Sequence, residues 1–213
     1  MKKLFSLLLA AAMVLTMAAC GTTNAGNDAA DEPKNDAAVD AADPAPTEET
    51  PEGTGSKVLV VYFSATGHTK TIAEYLQAAL DADLYEVVPQ EPYTDADLDY
   101  NTDGCRANRE QNDDSARPAI SGSVEDMDGY DVVFIGYPIW WGQAPKIVYT
   151  FLESYDLSSK TIVPFCTSGS SGIDGSLGGL QALAPDADWL TGQRFSASAS
   201  AADVQSWVDS LGL

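Results

Sequence analysis

Basic residues are scarce in this sequence. Its 213 residues include 11 Lys and Arg against 32 Asp and Glu, a formal charge of −21. Binding a phosphate backbone needs clustered positive charge, so this balance disfavours nucleic acid as a partner. Histidine is rarer still, with His68 standing alone. No Ser–His–Asp arrangement, Cys–His pair or metal-ligand cluster is recognisable around it to compete for a site. The acidic run Asp95-Ala96-Asp97-Leu98-Asp99 lacks the glycine and closing glutamate of a calcium loop and reads as solvated surface. Three cysteines are too few for a disulfide framework. Cys166 ends an apolar run and reads as a small buried hydrophobe, whereas Cys105 lies among polar residues and is expected at the surface. A bridge between them is allowed in an oxidising compartment, subject to geometry.

A long apolar run occurs only at the start. Lys2 and Lys3 precede an almost wholly apolar Leu4–Val14 and a small-residue segment, a pattern expected of a secretory signal over residues 1–19. It is too short for a stable spanning helix. The stretch Met17-Ala18-Ala19-Cys20-Gly21 resembles a bacterial lipobox, with Met17 where such sites more often have Leu. That resemblance implies an acylated Cys20 at the mature N-terminus, and two or more acyl chains would hold the protein stably at the outer face of the membrane. Residues 21–56 carry nine acids, one base (Lys34) and Val39 as the only larger aliphatic. Such a segment cannot bury enough apolar surface to offset its ordering entropy, so residues 20–56 are expected to form an acidic disordered tether. Residues 57–213 then make one folded domain, with 23 acids against eight bases.

Within that domain apolar strands and amphipathic helices alternate. Val58-Leu59-Val60-Val61-Tyr62-Phe63 reads as a strand buried on both faces, followed by a helix with Ile72, Ala73, Leu76, Ala79 and Leu80 on its inner side. Residues 83–88 alternate and stop at Pro89, predicting an edge strand. Residues 90–128 read as a loop-rich connection with a short helix near 105–112. The run 130–136 predicts a third strand, and Pro145 fits the first position of a helix with Ile147, Val148, Phe151 and Leu152 inward. Residues 160–166 predict a fourth strand, made irregular by Pro164, and 174–183 a Gly-containing helix. Residues 187–190 predict a short fifth strand and 201–211 a closing helix. The pattern is α/β, a doubly wound parallel sheet with helices on both faces.

The chemistry collects in three loops. Ser64-Ala65-Thr66-Gly67-His68-Thr69 joins the first strand to its helix. A helix start presents free N–H groups and the positive end of the peptide dipole, and three hydroxyls add donors. There is no Walker lysine, so the loop suits a single terminal phosphate rather than a triphosphate. Tyr137-Pro138-Ile139-Trp140-Trp141-Gly142-Gln143 follows the third strand; its tryptophans could stack on a planar ring or plug the core. Thr167-Ser168-Gly169-Ser170-Ser171-Gly172 follows the fourth and could edge a polar heterocycle or be a surface turn.

The pattern [ST]-x-T-G-x-T after a first strand resembles the phosphate loop of flavodoxins. G-Y-P-I-W-W-G-Q-A-P over 136–145 and F-C-T-S-G-S-S-G over 165–172 are similar to their flavin loops. The resemblance covers residues 57–213 and implies a five-stranded flavodoxin-like sheet of order 2-1-3-4-5 with non-covalent FMN at the switch point. Flavodoxins are themselves the type example of that rule. It further implies that Ser64, Ala65, Thr66, Gly67, His68 and Thr69 hold the phosphate. Pro138, Ile139, Trp140, Trp141 and Gly142 would flank the isoalloxazine, and Thr167, Ser168 and Gly169 would meet its edge. Three functions remain open at this point. The first is an electron carrier with a redox partner protein or small acceptor. The second is a nicotinamide-dependent reductase using Arg106, Arg109 and Arg117 for dinucleotide phosphates. The third is a surface lipoprotein that has lost its flavin.

Overall fold

The computed structural model describes residues 56–213; the expected signal, Cys20 and the tether up to residue 55 lie outside the described residues. β1 (Val58–Tyr62) is buried over four of its five residues, as its apolar run requires. α1 (His68–Leu80) buries Thr69, Ile72, Ala73 and Leu76, the inward stripe expected of a 3.6-residue period. β2 (Asp83–Glu86) pairs in parallel with β1 and forms one edge of the sheet. The chain then leaves the sheet. β3 (Val88–Pro89), α2 (Arg106–Gln111), β4 (Ile120–Ser121) and a 3₁₀ turn at Met127–Gly129 make up the loop-rich connection. β3 and β4 pair antiparallel as a separate small ribbon, so the run expected as one strand over 83–88 is split at Val87.

β5 (Val132–Pro138) and β6 (Thr161–Thr167) are the long central strands, separated by α3 (Lys146–Glu153). α4 (Asp174–Gln181), β7 (Asp188–Trp189), β8 (Gln193–Phe195) and α5 (Ala201–Leu211) complete the chain. The parallel order is β2-β1-β5-β6-β7, which is 2-1-3-4-5 counted along the sheet. Side chains alternate between two cores. Leu59, Val61, Val133, Ile135 and Ile162 face α3 and α4, while Val60, Tyr62, Phe134, Val163 and Phe165 face α1 and α5.

The fifth position is filled by two short strands. β7 pairs with Thr161 and Ile162, and β8 pairs with Phe165, Cys166 and Thr167. The gap lies opposite Pro164, which has no N–H for the ladder. Leu190 N–H still donates to Ile162 O at 2.9 Å, but two residues on, Gly192 is pressed so closely to Pro164 that a Cβ there would lie 2.9 Å from the ring. Two further expectations are corrected. Pro145 is the N-cap of α3, with extended ψ of 141°, and not its first helical residue. Cys105 is buried, with 5% of its surface exposed, because it opens α2 on the side turned to the core. Cys105 and Cys166 are both free thiols.

Candidate functional site

The loops after β1, β5 and β6 leave the same end of the sheet, at the point where the order reverses between β1 and β5. At the first loop α1 starts without a side-chain cap. Gly67 occupies the N-cap position at φ +89°, and no acidic residue lies in the first turn. Among the described residues, none of the backbone N–H groups of Thr66 through Lys70 finds an acceptor. These donors together with the helix dipole make an anion site. A Cβ at Gly67 would meet nothing within 4 Å, so the approach is open. Ser64 Oγ adds a fourth kind of signal: it is buried and has no hydrogen-bond partner. An orphaned hydroxyl is costly, and a ligand oxygen would satisfy it.

Thr69 differs from its neighbours. It is buried, and its Oγ1 lies 2.7 Å from Thr167 Oγ1 at the end of β6. This bond ties the first loop to the third one. Ile139 N–H donates to Thr167 O at 3.0 Å, so Thr167 also ties in the middle loop. Both threonine hydroxyls are therefore engaged within the protein, whereas Thr66 is exposed and His68 is exposed beside it.

The middle loop is a tight reversal. Trp140 and Gln143 exchange two backbone hydrogen bonds of 2.9 Å, and the central pair Trp141 and Gly142 have φ of +46° and +80°. Two successive left-handed residues are the signature of a type I′ turn. Glycine tolerates this, but a tryptophan there stores about 1–3 kcal/mol of strain. The base of the loop is clamped from α2, where Gln111 Nε2 donates to Trp140 O and Ala144 O, both at 3.2 Å. Gln143 Nε2 reaches Gly175 O at 3.1 Å on the other side. The two tryptophans have opposite fates. Trp140 is buried and packs edge-on against Phe63 and Tyr93 at 5.6 and 5.2 Å between ring centroids. Trp141 is exposed and stacks on Tyr100.

A cleft of about 230 Å³ opens between these parts, lined by Ala65, Thr66, Leu98, Tyr100, Ala107, Pro138, Ile139, Trp140 and Trp141. Its walls are mostly apolar and carry no charged side chain. The structure thus brings together the first and middle loops as the sequence predicts. Thr167, Ser168 and Gly169 are adjacent through the Thr69 and Ile139 contacts but do not line the cleft. The carbonyls of Ser168 and Gly169 already accept from Arg194 Nη2 at 2.9 and 2.7 Å, and Arg194 Nε donates to Ser168 Oγ at 3.0 Å. Arg194 comes from β8, a strand that sequence reasoning missed.

Leu98, Tyr100 and Ala107 were missed as well. They come from the 90–128 connection, whose polar composition conceals an inward-facing rim; the one available signal was Leu98 and Tyr100 standing as large residues in an acidic run. That run serves its own loop. Asp97 accepts from Thr94 N and Oγ1, and Asp99 from Thr102 Oγ1 and Asn101 N. These hydrogen bonds hold both carboxyls below the usual range, for Asp97 led by the Thr94 backbone and for Asp99 by the Thr102 hydroxyl. Arg106 pairs with Glu110 at 2.7 Å and lies over the Tyr93 ring, and Arg117 holds both oxygens of Glu153 at 2.6 and 2.8 Å.

The architecture is a doubly wound α/β protein with an anion-ready helix start beside an aromatic cleft at the switch point. A flavodoxin family model matches residues 57–211, and the chain belongs to that family. Among solved structures it is similar to a candidate flavoprotein from Bacteroides eggerthii, with 46% identity and a TM-score of 0.70 over 75% of this chain and 99% of that one. A second candidate flavoprotein, from Bacteroides uniformis, is 41% identical with a TM-score of 0.70, covering 73% of this chain and 99% of that one. A flavoprotein from Lactobacillus acidophilus, solved in complex with FMN, is 25% identical with a TM-score of 0.59 over 75% of this chain and all of that one. No curated protein matches the chain.

Proposed function

We propose that this chain binds FMN non-covalently at the switch-point cleft and works as an electron carrier, held at the outer face of the membrane through an acylated Cys20. The observation that carries the cofactor is the pairing of an uncapped helix start and the orphaned Ser64 Oγ with a neutral aromatic cleft next to it. The family match and the FMN complex of the Lactobacillus relative support the same cofactor. The donor set fits a phosphate monoester: hydroxyls of Ser64 and Thr66 plus N–H groups of the first turn, with no lysine in the loop. Thr69 supports this loop through Thr167, and Ala65, Pro138, Ile139 and Trp141 offer apolar contact to a ring.

Bound FMN supplies reversible electron transfer in one- or two-electron steps. What the chain adds is electrostatic. A domain with 23 acids and eight bases disfavours extra negative charge on a reduced cofactor, which lowers its potential, and it steers basic partners. The reductase reading loses support because two of the three arginines offered for dinucleotide phosphates, Arg106 and Arg117, are already committed to Glu110 and Glu153, while Arg109 donates only to the Gly104 carbonyl. The membrane anchor rests on the sequence around Cys20.

The test is the full chain purified from membranes and from the soluble fraction. The expected protein is yellow, releases FMN on denaturation, is reduced in two resolved one-electron steps under anaerobic titration, and oxidises neither NADH nor NADPH. Direct two-electron bleaching by a nicotinamide would make it a reductase, and colourless protein that cannot be reconstituted would remove the cofactor. Cys20→Ser should move the protein to the soluble fraction; retention in membranes would refute the anchor.

A further inference from the structure

The acidic domain places its few positive charges unevenly. Of its eight bases, Lys57, Lys70, Arg106, Arg117 and Lys146 are each paired with a carboxylate. Among the described residues Arg109, Lys160 and Arg194 have no such partner. Arg109 is exposed on α2, and Lys160 stands just before β6, at the end of the sheet away from the three loops. Arg194 alone of these lies against one of those loops. Its Nη2 donates to the carbonyls of Ser168 and Gly169 at 2.9 and 2.7 Å, and its Nε to Ser168 Oγ at 3.0 Å. In a trans peptide unit the C=O and the N–H point in opposite directions. The two units that turn their carbonyls to Arg194 therefore aim the N–H groups of Gly169 and Ser170 away from it. Neither N–H finds an acceptor among the described residues, and a Cβ at Gly169 would meet nothing within 4 Å. The third loop thus offers two free donors and the positive ends of two peptide dipoles to open space, with a guanidinium on its far side. That charge reaches past the loop: burial pushes the Cys166 thiol up to about 12, and Arg194 works against the rise.

We propose that Arg194 makes the third loop a seat for negative charge, so that the chain holds reduced, anionic FMN more tightly than its own acidity would allow. The inference rests on the cofactor reading above. Two electrons and one proton taken from a donor leave the ring with one negative charge more than the oxidised form. Fixed donors and dipoles aimed at a place where charge develops stabilise it without reorganising. The surrounding carboxylates oppose the same charge. Arg194 offsets part of their effect, and the potential is less negative than the net charge of the domain alone implies. Arg194 is a positioning residue: it acts by orienting the loop's peptides and through the charge it keeps unpaired beside them.

The experiment uses the full chain, with titration of the flavin-free form for the Kd of oxidised FMN and anaerobic dithionite titration of the loaded form for the two-electron potential. Arg194→Gln should weaken the hold on reduced FMN about 3- to 30-fold more than that on oxidised FMN, the scale of one partly screened charge. At about 30 mV per tenfold for a two-electron couple, this lowers the potential by about 15–45 mV. Arg194→Lys loses the fork but keeps the charge, and should stay within about 10 mV of the unsubstituted chain, a shift of about twofold. Ser168→Asp sets a carboxylate against the guanidinium without removing it, and should lower the potential as Arg194→Gln does; it also serves if Arg194→Gln fails to fold. An unchanged or raised potential in Arg194→Gln or Ser168→Asp would overturn the proposal. So would an equal fall in Arg194→Lys and Arg194→Gln, which would make Arg194 a clamp on the loop and nothing more. Each of those results leaves the cofactor in place. Failure of the unsubstituted chain to bind FMN at all would instead overturn the cofactor reading, and the role of Arg194 with it.

Discussion

Ser64→Ala should strengthen the empty protein and weaken the loaded one. Ser64 Oγ is buried without a partner, so the flavin-free fold carries the cost of a desolvated hydroxyl, about 1–3 kcal/mol. Removing it returns part of that cost, and a gain of ~1 kcal/mol in a domain of this size raises Tm by about 2–4 °C. With a phosphate present the sign reverses. A hydrogen bond to a charged group contributes about 1.5–3 kcal/mol, so the substitution should raise the Kd for FMN roughly 10- to 100-fold. Tyr85 Oη, the other buried hydroxyl without a partner among the described residues, supplies the control because Tyr85 sits on the edge strand β2 and does not line the cleft. Tyr85→Phe should stabilise the flavin-free chain in the same way and leave FMN affinity unchanged. Differential scanning calorimetry with and without FMN, with isothermal titration for Kd, gives all four quantities. If Ser64→Ala lowers the Tm of the free chain and leaves Kd alone, Ser64 is a structural residue and the phosphate loop has been misread.

The remaining predictions separate site from scaffold. Trp140→Ala opens a cavity in an aromatic cluster with Phe63 and Tyr93 and should cost about 3–5 kcal/mol in denaturant unfolding, while Trp141→Ala should change stability little and restore the fluorescence of bound flavin. Equal stability losses for the two would contradict the opposite exposures of these rings. Gly136→Ala places a Cβ 2.1 Å from Phe165 Cζ inside the central strands, so about 1–3 kcal/mol or more of overpacking should appear, with FMN affinity retained in whatever protein still folds. Burial pushes the Cys166 thiol up to about 12, so the unfolded chain loses this proton first and stability should fall as pH rises from about 9 toward 12. Cys166→Ala should flatten that slope. A slope identical to that of the unsubstituted chain would mean the thiol is not the titrating group, leaving the tyrosines that burial holds above their ordinary value, Tyr62, Tyr85, Tyr93, Tyr130, Tyr137 and Tyr149, to carry it.

What could be read from the sequence follows from what each signal measures. Periodicity and β-branched runs report burial, so the central strands and the inward stripes of α1, α3 and α5 were legible, whereas the 2-1-3-4-5 order came from the resemblance to flavodoxins. Pro164 announced a broken ladder, but not that the partner strand would restart as β8 and bring Arg194 onto the third loop. That contact joins residues 26 positions apart through a three-residue strand with no pattern of its own. Cys105 was misplaced because neighbouring polarity says nothing about which way a short helix turns its first residues. The two tryptophans show the limit most clearly. Adjacent and identical in type, they are assigned opposite roles by a left-handed turn at Trp141 and Gly142 and by Tyr100, some 40 positions away. Residue type could mark that loop as chemistry. Only the packing against Phe63, Tyr93 and Tyr100 decides which ring is core and which stays exposed at the mouth of the cleft.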